Sequence, residues 1–144
     1  METLNELSGL PERKKPENAA PTKELAREAI FAAFRKKATD VVLMDIREVS
    51  GIADYFVICT GDSQRQIKAI ADGIREDVRE ALGEKPWRSE GYKQQEWILL
   101  DYVDVVVHVF NEDKRTHFGL ERLWGDAPRE EIQDGVTEIV LLDQ

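Results

Sequence analysis

The chain is poor in the residue types that most often announce chemistry. It has one cysteine and two histidines in 144 residues. A single cysteine excludes an intrachain disulfide and a cysteine-rich zinc site. Two histidines are little material for a metal centre, and no metal or cofactor is expected. No apolar run approaches the ~20 residues that cross a bilayer. The polar stretch 1–21 also lacks the apolar core of a secretory signal. Neither glycine-rich phosphate fingerprint, G-x-x-x-x-G-K-[ST] or G-x-G-x-x-G, occurs. Positive charge is in deficit: 20 Lys and Arg stand against 29 Asp and Glu, a net charge of −9. Phosphate backbones repel such a chain at long range, so no direct nucleic-acid partner and no membrane partner are expected. A basic protein partner is electrostatically easier. The simplest compartment is a reducing, cytoplasmic one.

What is present suits one folded domain. Hydrophobic residues make up 42% and charged residues 34%. A chain of this length buries roughly two-thirds of its unfolded surface without staples. Three prolines (Pro11, Pro16, Pro21) interrupt residues 1–21, which read as a flexible arm. Thr22 looks like the N-cap of a first helix over 22–38, with cations Arg35, Lys36 and Lys37 at its end. Strands follow at 41–46 and 55–60, the second apolar on both faces. Ser63-x-x-Gln66 is a capping box that opens a helix over 63–82, and Gly83 closes it. A proline-edged strand at 86–91, strands at 96–101 and 103–110, and a helix over 112–124 complete the order. The expected fold is α/β, a single mixed β-sheet flanked by helices in the order α-β-β-α-β-β-β-α. The domain spans 22–125. Residues 126–144 form an acidic tail of six acids and one base, whose Ile139–Leu142 patch either adds a strand or docks in a groove.

Four constellations carry possible chemistry. Thr60-Gly61-Asp62-Ser63 precedes a helix, where free amides attract anions, as in nucleotidyltransferases. The capping box alone also accounts for Ser63. Asp101 and Asp104 would serve two-metal phosphoryl transfer only if a bend near Tyr102 brought them to one side; otherwise they belong to a hairpin turn. Asp104, Val106 and His108 share a strand face, with Cys59 or Ser63 as conceivable partners for the imidazole. No nucleophile-elbow signature accompanies them. Finally, Trp87, Tyr92, Trp97, Tyr102, Phe110, Phe118 and Trp124 crowd the second half of the chain. Aromatics and arginine are enriched in protein interfaces, although they also fill cores.

Longer motifs point further. Ala53-Asp54-Tyr55-Phe56-Val57-Ile58-Cys59-Thr60-Gly61, Ser63-x-Arg65-Gln66 and Ile70-Ala71-Asp72 resemble the first half of the ribosomal silencing factor, or Iojap-related, family. The second half is matched by Glu90-Gly91, by the run Trp97 to Phe110, and by Arg115 to Leu120-Glu121-Arg122-Leu123-Trp124. The resemblance covers about 22–125. It implies a nucleotidyltransferase-like fold without the activity. It implies a non-enzymatic translation repressor that binds the large ribosomal subunit through the basic ribosomal protein fourteen (uL14), blocks subunit joining when nutrients run short, and can self-associate as a homodimer. Other functions compatible with the residues are a large-subunit assembly factor, or an enzyme using Ser63, Asp101 and Asp104. Carried onto this chain, the partner-binding residues are Trp97, Asp104, His108, Phe110, Arg115 and Phe118, with Asp101 and Glu90 in supporting places. Gly119, directly after Phe118, is expected to bend the last helix.

Overall fold

The computed structural model describes residues 12–144. Helix α1 (Thr22–Arg35) buries Leu25, Ala26, Ala29, Ile30, Ala32 and Ala33. It opens after Pro21 without a side-chain cap, so Thr22 is its first residue and not the cap. Its hydroxyl reaches instead toward Asp104. The helix also stops three residues short of expectation. Lys37 adopts φ 67°, and the Ala38 and Lys37 amides donate back to the carbonyls of Ala33 and Phe34. That is a Schellman turn with lysine where glycine is usual. A run of cations suits either the last turn of a helix or its exit, so the ending was invisible to periodicity.

Six strands form one mixed sheet: β1 (Thr39–Asp45), β2 (Tyr55–Thr60), β3 (Arg88–Glu90), β4 (Trp97–Asp101), β5 (Val105–Phe110) and β6 (Arg129–Glu131). Their spatial order is β3-β4-β5-β2-β1-β6. The central pair β2/β5 is parallel and every other pair is antiparallel. Every residue of β2 and β5 is buried, as runs without alternation foretell. Helix α2 (Gln64–Leu82) makes the crossover into the second half of the chain. Ser63 accepts from the Gln66 amide, and the Gln66 side chain accepts from the Asp62 amide at 2.5 Å. Gly83 ends the helix at φ 70°.

The central strands divide their residues between two cores. Val41, Leu43, Tyr55, Val57, Cys59, Val105, Val107 and Val109 face α1 and α2. Val42, Met44, Phe56, Ile58, Val106 and Phe110 point to the opposite face. That second face is roofed by α3 (Glu112–Phe118) and α4 (Leu120–Leu123), through Leu120, Trp124 and Ala127. The single helix expected over 112–124 is broken by Gly119 at φ 57°, where a Cβ would approach the Arg122 guanidinium at 2.8 Å. The expected bend is therefore a complete interruption.

The last third of the chain departs most from expectation. β6 was not foreseen; it pairs with β1 along Val42, Leu43 and Met44. Ile132, Ile139 and Leu142 enter the core beside α1. Of the two readings of the Ile139–Leu142 patch, docking is the one observed. Two carboxylates hold it. Glu130 accepts from the Val140 and Leu141 amides. Asp143 accepts from the Ile139 amide and pairs with Arg27. Acidity of a segment reads as solvation in a sequence, whereas here it supplies acceptors for backbone amides. Of the arm expected over 1–21, residues 1–11 lie outside the described part.

Candidate functional site

The second sheet face is roofed unevenly, and that unevenness makes the site. α3 and α4 cover the β5/β2/β1 side. Toward β4 the roof thins, leaving Trp97 and Leu99 half-buried. Register sets Trp97 opposite Phe110 and Leu99 opposite His108 across the β4–β5 hairpin. The Trp97 and Phe110 rings stack with centroids 4.7 Å apart, and the Phe118 ring leans on Trp97 at 4.6 Å. Phe118 is 44% exposed at the end of α3. Phe118 and Leu120 do not share a helix face, because α3 has already ended between them. Leu123, expected with Leu120 and Trp124 on the apolar face of the last helix, is 68% exposed, and Ile52, which sequence reasoning did not single out, is 51% exposed.

His108 lies beneath this cluster, 3% exposed, edge-on to Phe56 at 4.7 Å. The Trp97 indole N–H donates to its Nδ1 at 3.1 Å. The ring proton therefore resides on Nε2, which finds no acceptor. Burial pushes the imidazole down to about 3, only partly opposed by the Asp101 carboxylate. Such a group is neutral at physiological pH and too weak a base for proton abstraction. Its role is to seat Trp97. Cys59, the other conceivable partner, is fully buried and its thiol is pushed up to about 12 by desolvation, the setting of an inert thiol.

Arg115 is spent inside the protein. Its Nη1 donates to the Asp40 carbonyl at 2.6 Å and to the Thr60 hydroxyl at 2.9 Å, and its Nε donates to Glu121 at 2.9 Å. It ties α3 to the ends of β1 and β2. A wide cleft of about 1040 Å³ opens beside it, lined by both signs of charge, including Arg122, Arg129, Glu112 and Glu131.

Asp104 and Asp101 sit at the far end of the sheet. Six residues of strand, at ~3.3 Å each, put Asp104 ~20 Å from Phe110. The six expected partner-binding residues therefore do not form one patch. Trp97, His108, Phe110 and Phe118 cluster; Arg115 lies behind α3; Asp104 is remote. The hairpin reading of Asp101–Asp104 is the one observed. Asp101 accepts from the Val103 amide, and Val103 turns the chain at φ 74°. Both carboxylates already hold cations from the arm: Arg13 on Asp101 and Lys15 on Asp104, each at 2.7 Å. Among the described residues, no group of three or more His, Cys, Asp or Glu is placed to hold a metal. Ser63 is consumed as the α2 cap, and Gly61 has its own structural reason. A Cβ there would lie 2.8 Å from the Ile67 side chain, so glycine lets α2 pack against β2. Glu90 stays exposed on edge strand β3, paired with Arg88. The arm's grip was missed, although Arg13-Lys14-Lys15 is a conspicuous basic run in an acidic chain.

What this geometry offers chemically is a rigid, half-exposed aromatic surface on a single-sheet α/β domain. Among the described residues no helix is long and apolar enough to cross a membrane. The sequence model described as "Ribosomal silencing factor during starvation" matches residues 19–141. The chain belongs to the ribosomal silencing factor family. A ribosomal silencing factor of Halalkalibacterium halodurans is 45% identical over 114 residues, 79% of this chain and 97% of that protein. The Bacillus subtilis counterpart is 40% identical over 81% of this chain and 98% of its own length. Chloroplastic Iojap of Zea mays is 36% identical over 67% of this chain and 41% of that larger protein. Two crystal structures share the fold. One, from Chromobacterium violaceum, has a TM-score of 0.71 at 31% identity, covering 83% of this chain and 95% of its own. The other, from Bacillus halodurans, has a TM-score of 0.67 at 41% identity, covering 76% and 99%. The family match runs past residue 125 into the docked C-terminal segment, beyond the span that the motifs alone outline.

Proposed function

We propose that this protein silences ribosomes by docking on the large subunit, through the basic ribosomal protein fourteen, and standing where the small subunit would join. The observation that carries the reading is the aromatic cluster Trp97–Phe110–Phe118, left half-open on the sheet face of a chain in this family. Relatives bear the name of silencing factors and not of enzymes, and obstruction needs no bond made or broken. A stacked, preorganised aromatic anchor loses little side-chain freedom on binding. With Leu99 half-buried beside it, it can support a contact of ~800 Å² per partner. The net charge of −9 steers a basic surface toward it, so association slows as salt rises.

The test is a binding and a gradient experiment together. Purified large subunits and isolated ribosomal protein fourteen are offered to the chain and to Phe118→Ala and Trp97→Ala. The unaltered chain is expected to bind both and to shift joined ribosomes toward free subunits. The variants are expected to lose that shift while remaining folded. Unchanged co-sedimentation of both folded variants would remove the site assignment. Binding without a shift toward free subunits would favour an assembly role. Magnesium-dependent ATP turnover would favour an enzyme.

A further inference from the structure

Arg13 occupies a pocket shaped for one chemical group. Its Nε and Nη2 donate to the two carboxylate oxygens of Asp101 at 2.7 and 2.8 Å. The same Nη2 donates to the Val103 carbonyl, and Nη1 donates to the Ile52 carbonyl, each at 2.7 Å. Four acceptors thus surround one planar fork. An ammonium is a point donor and cannot make the parallel pair. The Asp101 side chain is only 4% exposed, and a carboxylate so deep requires a cation. The receptor is rigid. Asp101 is fixed by the Val103 amide, and the positive φ of Val103 belongs to the tight hairpin that presents its carbonyl. Receptor and occupant also come from different parts of the chain. The cradle lies inside the span matched by the family, and Arg13 lies before its first residue, 19.

We propose that Asp101, with the carbonyls of Ile52 and Val103, is a guanidinium-binding site that Arg13 fills in cis and an arginine of a basic protein partner enters in trans. The identity of that partner rests on the docking reading above; the site does not. Asp101 shares a strand face with Leu99 and Trp97, so an arginine entering there continues the aromatic surface. Lys15 neutralises Asp104 in the same movement. The arm is therefore an internal competitor: while it is seated, both acids are unavailable to a cationic partner. Arg88 stands in reserve, its Nε 3.8 Å from Asp101 Oδ2.

The experiment uses the full chain. Arg13→Ala, combined with Arg88→Ala so that the reserve guanidinium cannot close the site, is titrated with N-acetyl-arginine amide and with N-acetyl-lysine amide. Amide NMR shifts at Asp101 and Val103 are followed. The arginine probe is expected to saturate the double variant, to bind the unaltered chain at least tenfold more weakly, and to outcompete the lysine probe at least fivefold. Equal titration of variant and unaltered chain, or equal response to the two probes, overturns the proposal. If the double variant does not fold, Arg13→Lys carries the test. It keeps a cation and loses the fork, so the arginine probe must displace it more readily than it displaces Arg13. In parallel, Arg13→Ala is expected to bind isolated ribosomal protein fourteen severalfold more tightly. Saturation by the arginine probe with no ribosomal binding by any form refutes the docking reading and leaves the cradle. Equal ribosomal binding by all forms with no preference between probes does the reverse.

Discussion

Burial of His108 makes a quantitative claim about acid stability. An imidazole titrates near 6.5 in an unfolded chain, and in the folded protein it is held down to about 3. Between those values the unfolded chain binds a proton that the folded one refuses, so stability falls as pH falls. From pH 7 to pH 4 this one group should remove about 3 kcal/mol. Carboxylates also titrate over that range, and the charge of Asp101 acts on the imidazole, so the wild-type slope alone is uninformative. The comparison that isolates the imidazole is His108→Asn, whose Oδ1 takes the place of Nδ1 as acceptor for the Trp97 indole and which carries no titrating group. Urea midpoints of both proteins are measured at half-unit steps from pH 7 to 4. The variant is expected to be less stable at pH 7, from imperfect packing, and to lose about 3 kcal/mol less across the range. Parallel curves would refute the reasoning. They would mean that His108 gains a proton within the fold and that the second core is wet.

Four further outcomes follow from the same contacts. Phe118→Ala should cost less than about 1 kcal/mol of stability, since the ring is half outside, yet weaken large-subunit binding tenfold or more, read by co-sedimentation. Arg115→Ala removes three hydrogen bonds, two tying α3 to the sheet and one tying it to Glu121 of α4, and should destabilise by about 3 kcal/mol in urea melts, with hydrogen exchange at residues 112–118 rising first. Gly119→Ala forces a left-handed alanine against Arg122 and should cost about 1–2 kcal/mol, measured by thermal unfolding. Ile139→Ala should cost about 2–5 kcal/mol, as a core position does, and a surface-like loss below 0.5 would mean that the C-terminal segment is not part of the packed unit.

Much of the fold is legible because its signals are local. The Ser63 capping box, the Gly83 stop and the double-sided apolar runs of β2 and β5 are written in neighbouring residues. Where the sequence misled, the deciding contact is distant. β6 has three residues and little apolar character, and it exists because β1 leaves an edge for it. Glu130 and Asp143 look like solvated acids until the amides of Val140, Leu141 and Ile139 are seen to need acceptors. The site divides the same way. Trp97, His108, Phe110 and Phe118 could be grouped by strand period and motif, and they do meet. Arg115 carries the composition of an interface residue but the partners of a brace. Asp104 shares the strand parity of His108, and parity says nothing of distance along the strand. The Arg13–Asp101 pair spans 88 residues, beyond any pattern of neighbours.

The pairing of β1 with both β2 and β6 has a consequence for how the molecule is made. On a chain emerging in order, β1 and β2 can meet early, while the far edge of β1 must wait for residues 129–131. Until then Val42, Leu43 and Met44 offer bare amides and carbonyls along an apolar strand, the template on which stray strands add. Nascent copies on one message are close together, so truncated or stalled products ending before residue 129 should aggregate far more readily than the finished chain.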